Sequence, residues 1–173
     1  MTQELIDLRN SILENRYADA LAIVDELEGM SKQAIIRNIQ SFVKILLIHL
    51  IKNQIEKRLT NSWATSIRNS VMEIKRLNLK ENKKSYYINA DEWEILILEE
   101  VMEEAIANAS EEVLNGAYNQ FQLAEIVSKM DLLQTSFKFL NLTYEHSAKT
   151  LPNAIAEVLI QLPGGENWIN RKG

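Results

Sequence analysis

His49 and Lys52 stand three residues apart in the most apolar stretch of the chain, Ile35 to Ile55. Ionisable side chains in such a setting must be hydrogen-bonded, shifted in pKa or put to use. On a helix turning about 100° per residue the two share a face. A histidine there is a candidate general base, and a partly desolvated lysine beside it a candidate clamp for a phosphate or an oxyanion. Asp25 and Glu26 on the preceding helix are the carboxylates expected to complete such a site. The competing account is structural and carries more weight: the histidine bonds inside a helix bundle, while the lysine packs its stem and sends its amine to a carboxylate at the rim. Downstream, Trp63 with Arg58 and Arg68 is the candidate anion- or partner-binding group. An indole flanked by guanidinium groups can stack a base, but it also serves as a core anchor.

Other constellations fall away on chemistry. Glu99, Glu100, Glu103 and Glu104 could face a hard cation from one helix side. A di-iron bundle needs Glu-x-x-His twice, and neither His49 nor His146 has a glutamate three positions earlier, so no metal site is expected. The chain has no cysteine, which removes thiolate ligands, disulfides and cysteine nucleophiles. Lys44, not arginine, stands five positions before His49, so the arginine–histidine pattern of HEPN-type helical nucleases is not met. No phosphate-cradling glycine loop, nucleotide fingerprint or nucleophile elbow occurs, and no cofactor is expected.

These side chains need a scaffold, and composition says which. The 173 residues include 46% hydrophobic and 25% charged positions but only five glycines and two prolines, too little turn chemistry for a many-stranded protein. The expectation is an all-α, single-domain bundle of about seven to eight helices spanning 1–173. A long polar connection near 78–90 is its one subdivision, and 163–173 forms a tail. Periodicity predicts helices over Thr2–Glu14, Tyr17–Glu28 ending at Gly29, Ser31–Arg58 and Thr60–Leu77. A fifth, Asp91–Asn108, is expected to bury Ile95, Leu98, Met102, Ala105 and Ala109. Beyond Ser110–Asn115 the pattern predicts Gln122–Met130, Leu132–Asn141 and Leu151–Gln161, with Pro152 in the first turn of the last and Trp168 folding back.

Charge is segregated along the chain. Residues 1–31 carry two basic and seven acidic groups, 32–84 carry twelve and three, and 91–112 carry none and nine. Either the basic middle segment meets nucleic-acid phosphates, or it packs beside the acidic helix that follows; the opposite signs and the overall −5 favour the second. Lys44, His49 and Lys52 interrupt the apolar run, so no membrane span is expected. The amino terminus shows no basic region leading into an apolar run, and a cytoplasmic location is the expectation.

Several short polar marks point to a family. Asp25-Glu26-Leu27, Gly29-Met30-Ser31, His49-Leu50-Ile51-Lys52, Arg58, Ser62-Trp63, Ser66-Ile67 and Arg68 together resemble the bacterial family called domain of unknown function twenty-nine. The endings Tyr144-Glu145-His146-Ser147-Ala148 and Leu162-Pro163-Gly164-Gly165-Glu166 look like its cyanobacterial branch. The resemblance implies an all-helical domain and carries no activity with it. The chain departs from the family's His-Leu-Leu-Lys followed by an aromatic residue and a proline turn: Ile51 and Asn53 stand here, with no proline before Pro152. The function expected on these grounds is a non-enzymatic protein-interaction or self-association module. The alternatives are a hydrolytic or phosphate-handling enzyme built on the His/Lys/carboxylate cluster, and nucleic-acid binding by residues 32–84.

Overall fold

The computed structural model describes residues 2–170 and is all-α, with helices α1 (Gln3–Leu13), α2 (Tyr17–Glu56), α3 (Asn61–Asn78), α4 (Trp93–Leu96), α5 (Met102–Ser110), α6 (Gln120–Ile126), α7 (Lys129–Glu145), α8 (Leu151–Gln161) and α9 (Gly165–Ile169). The chain divides into two compact units, one ending at Arg37 and the other starting at Asn38. The division falls within α2, whereas the sequence suggested a subdivision at 78–90.

The first unit holds α1, a turn over Glu14–Arg16 with Asn15 left-handed at φ 60°, and the opening turns of α2. The expected break at Gly29 does not occur. Gly29 is not among the residues of positive φ, the apolar repeat continues on both sides of it, and α2 runs on as 40 residues. One interior glycine costs a helix about 1 kcal/mol relative to alanine, too little to outweigh the packing of its flanks. The helix stops instead at Lys57, which takes the left-handed conformation at φ 54° just past Glu56.

The second unit contains the core. Ile39, Val43, Leu46, Leu47, Leu50 and Ile51 of α2 are buried, as are Trp63, Ile67, Val71 and Ile74 of α3. Thr60 caps α3 by accepting the Trp63 N–H at 3.1 Å. α3 lies against α7 and α8, which pack on each other. By length and composition α2 is long and apolar enough to cross a membrane: one 18-residue window has a mean hydropathy of 1.5, and 33% of it is buried. Core helices meet the same criterion, and the run supplies the buried aliphatic side chains named above.

The 78–90 connection is the long polar segment expected, exposed over 81–84, and its two ends are pinned together. Asn78 is 1% exposed, accepts the Ile88 N–H at 2.8 Å and donates to the Ile88 carbonyl at 2.8 Å. The Tyr144 hydroxyl donates to that same carbonyl at 2.6 Å, and its ring meets Tyr86 edge-on at 4.7 Å. Burial pushes the Tyr144 hydroxyl up to about 12. One buried amide thus closes ten residues of chain into a fixed flap, with an isolated bridge between Leu79 and Tyr86.

The expected fifth helix is also assembled differently. Asn89, not Asp91, caps it, exchanging hydrogen bonds with Glu92 in a capping box. A short 3-10 turn then leads through α4 into a π turn at Ile97–Val101 before α5. The extra residue in the π turn rotates the buried face. Trp93, Ile97 and Val101 enter the core beside Met102, Ala105 and Ala109, while Ile95 and Leu98 are 62% and 44% exposed. Further on, α6 and α7 start earlier than periodicity suggests, at Gln120 and Lys129, because Asn119 and Ser128 cap them. α8 matches Leu151–Gln161, and Trp168 folds back to donate to the Asn61 side chain at 3.3 Å. The last three residues of the expected tail lie outside the described residues.

Candidate functional site

The carboxyl-terminal turns of α2 carry His49, Lys52, Asn53 and Glu56, spaced i, i+3, i+4 and i+7, so a polar stripe runs down one side of a core helix. Its lower half is a structural clasp. Asn53, 3% exposed, donates to the carbonyls of Arg58 at 3.0 Å and Pro163 at 2.8 Å, tying the α2–α3 turn to the segment before α9. Gly164 fits there because a Cβ would lie 2.7 Å from the Arg58 Cα, and its φ of +75° independently favours glycine. Glu56 accepts from Arg58 through one oxygen at 3.0 Å and from the Leu114 N–H through the other at 3.3 Å. The Leu114 contact steadies a left-handed run, Leu114, Asn115 and Gly116, with φ of 48°, 57° and 77°.

The upper half centres on Trp63. The Lys52 ammonium lies 5.0 Å and the Arg58 guanidinium 4.7 Å from the ring centroid. Lys52 also pairs with Glu112 at 3.4 Å. Although Lys52 is 7% exposed, its charge has both a carboxylate and an aromatic face, which is how a buried ammonium is retained.

His49 is neutral at physiological pH. Burial, reinforced by the neighbouring Lys52 and opposed by Glu112, lowers its pKa to about 4, and its Nδ1 is buried without a hydrogen-bond partner among the described residues. A base this weak abstracts protons poorly at neutral pH. Two grooves of about 200 Å³ in the second unit are lined by other residues. One is bounded by Ile106, Phe121 and Ala124, the other by Asn53, Lys57, Asp131 and Thr135.

The structure therefore brings together His49, Lys52, Arg58 and Trp63 and leaves three candidates elsewhere. Asp25 and Glu26 are exposed and belong to the first unit, whereas His49 belongs to the second. Arg68, five positions after Trp63, points about 140° around α3 from it and stays exposed. Glu112 takes the place expected of Asp25 or Glu26, and Glu56 and Asn53 complete the stripe. The sequence signal for Glu112 is the acidic block facing the basic one, for the same pairing recurs between Lys44 and Glu104 at 3.0 Å. Arg58 pairs with Glu56 and Arg76 with Glu73, so four of the twelve basic groups of 32–84 have an ion pair among the described residues, and Lys75 donates to the Thr143 carbonyl. Among the described residues no group of three or more histidines and carboxylates is placed to hold a metal ion.

Comparison with curated proteins and with solved structures returns no match. The marks around His49, Trp63 and Arg68 fall inside the 2–138 segment that fits one family model, and the chain belongs to that family, Domain of unknown function DUF29.

Proposed function

We propose that this protein is a non-enzymatic interaction module that docks another protein through the apolar outer face of its first unit. The observation that carries the reading is the exposure of Leu5, Ile12, Leu13, Tyr17, Leu21 and Val24, at 42–69% each, within the first two dozen residues. Exposed apolar side chains gathered on a short helical unit mark interaction surfaces in soluble proteins. The reading draws further support from the second unit, where the charges of Lys52 and Arg58 are met by Glu112, Glu56 and the Trp63 ring. A Tyr17→Glu/Leu21→Glu variant should keep native helicity by circular dichroism and lose association with the partner. A native chain that is monomeric by light scattering and recovers no partner from a cyanobacterial lysate would refute the proposal. The lysate is chosen because the Tyr144–Ala148 and Leu162–Glu166 endings, outside the segment matched to the family, are read as marks of the cyanobacterial branch.

A second reading, a hydrolytic or phosphate-handling enzyme, is favoured only by the unpartnered Nδ1 of His49 beside Lys52. It requires His49→Ala to abolish a phosphatase or esterase activity of the native chain. Unchanged turnover in that variant disposes of it.

A further inference from the structure

The exposed face of α2 in the first unit has a charge pattern as well as an apolar one. Tyr17, Leu21, Val24 and Glu28 follow one another at i, i+4, i+7 and i+11, which keeps them within about 60° on a helix. Asp25, one turn after Leu21, borders the stripe, and Glu28 ends it. Tyr17, Leu21 and Val24 are 60%, 65% and 42% exposed, and both carboxylates are exposed too. The apolar positions are not the helix's inner side, since Ala20 is buried and Ile23 and Leu27 half-buried roughly a quarter-turn away. Lys32, one turn beyond Glu28 on the same side of α2, forms no ion pair with this edge among the described residues, and the other near basic group is taken elsewhere. Arg16 is committed to Glu14 at 2.8 Å and Asp19 at 3.0 Å, whereas Asp25 and Glu28 have no ion pair among the described residues.

Building on the docking face proposed above, we infer that its occupant is a basic amphipathic helix of another protein: an apolar stripe on Tyr17, Leu21 and Val24, with lysine or arginine reaching Asp25 and Glu28. Complementary charge at the rim of an apolar contact sets the choice of partner. A second copy of this chain in parallel register fits less well, because that pairing brings Asp25 and Glu28 against their own kind. An anionic bilayer is disfavoured for the same reason.

The test uses the full chain and two synthetic helical peptides with the same leucine stripe, one rimmed by lysine and the other by glutamate. Titration calorimetry at low and at high salt should give affinity for the lysine-rimmed peptide roughly tenfold or more above its twin, declining as salt rises. Asp25→Lys/Glu28→Lys should reverse the preference, and Leu21→Glu/Val24→Glu should abolish binding of both peptides; all four positions are exposed, so circular dichroism should be unchanged. Equal affinity for the twins, lost in Leu21→Glu/Val24→Glu, overturns the charge inference and leaves the docking face standing. Absence of binding by either peptide overturns both. Self-association removed by Leu21→Glu/Val24→Glu would show the occupant to be a second copy and refute the basic-helix assignment.

Discussion

The two units differ in how much they bury. In the second, several polar groups forced inside are given partners, though the His49 Nδ1 and Trp93 Nε1 are not: Asn53 clasps two carbonyls, Asn78 both polar groups of Ile88, and Lys52 a carboxylate and an indole. The first buries only Ser11 and Ala20 among the described residues and leaves Leu13 and Leu21 at 69% and 65% exposure; in the second, exposed apolar groups such as Phe121 and Ile95 accompany an extensive core. The difference separates stability from association. Buried polar groups with full complements fix a unique packing, whereas exposed apolar area contributes nothing until something covers it.

The largest expected contrast comes from trimming one leucine in each unit. Leu47→Ala, at a position with no exposure, should cost about 2–5 kcal/mol in chemical denaturation, and Leu21→Ala about 0.5 kcal/mol or less. Comparable losses would mean that Leu21 is already covered and would end the contrast. Next comes Asn78→Ala, which strips the Ile88 N–H of its partner in a buried setting and should cost about 2–3 kcal/mol. It should also release the 79–87 amides to hydrogen exchange, and persistent protection there would show that the flap does not depend on Asn78.

His49 tests the second unit through pH. With a folded pKa of about 4 against 6.5 unfolded, the unfolded chain takes up a proton that the folded chain resists. The stability that neutral His49 confers is thus complete above about 6.5, declines as the pH falls toward 4, and changes no further below it. Partial exposure discounts the effect to about 1–2 kcal/mol, which His49→Leu should remove from the acid limb of the stability curve. A resonance assigned to the His49 imidazole and titrating near 6.5 would contradict the burial. Smallest is Gly29→Ala. A Cβ there meets nothing within 4 Å, and the residue lies inside a helix, so the variant should be about 0.5–1 kcal/mol more stable. Destabilisation would instead reveal a left-handed helix end at Gly29 and restore the break that the sequence suggests.

Much of the fold is legible in local signals. The Thr60 cap, the 3.6-residue repeat from Trp63 to Leu77 and the extent of α8 depend on residues near one another in the chain, so their physics can be read there. Gly29 misleads because a glycine's preference for ending helices is small beside the packing of the turns around it. Ile95 and Leu98 mislead because a π turn shifts the register, which the apolar pattern alone does not encode. The site was partly legible for a related reason. His49 and Lys52 announce themselves as polar residues in an apolar run, and Arg58 meets Trp63 because they are close in sequence. Lys52's carboxylate comes from sixty positions away, and only the packing of distant elements selects Glu112 over Asp25 or Glu26.

By itself the sequence determined an all-helical chain, its family and the polar stripe at the end of α2, because these follow from periodicity, composition and short-range marks. Only the tertiary structure decided that Lys52, Asn53 and Glu56 of the stripe find partners, that Asn78 closes the 78–90 segment and that the first unit leaves apolar side chains exposed. Those outcomes turn on which distant groups come within hydrogen-bonding or van der Waals reach, and three-dimensional packing sets that proximity.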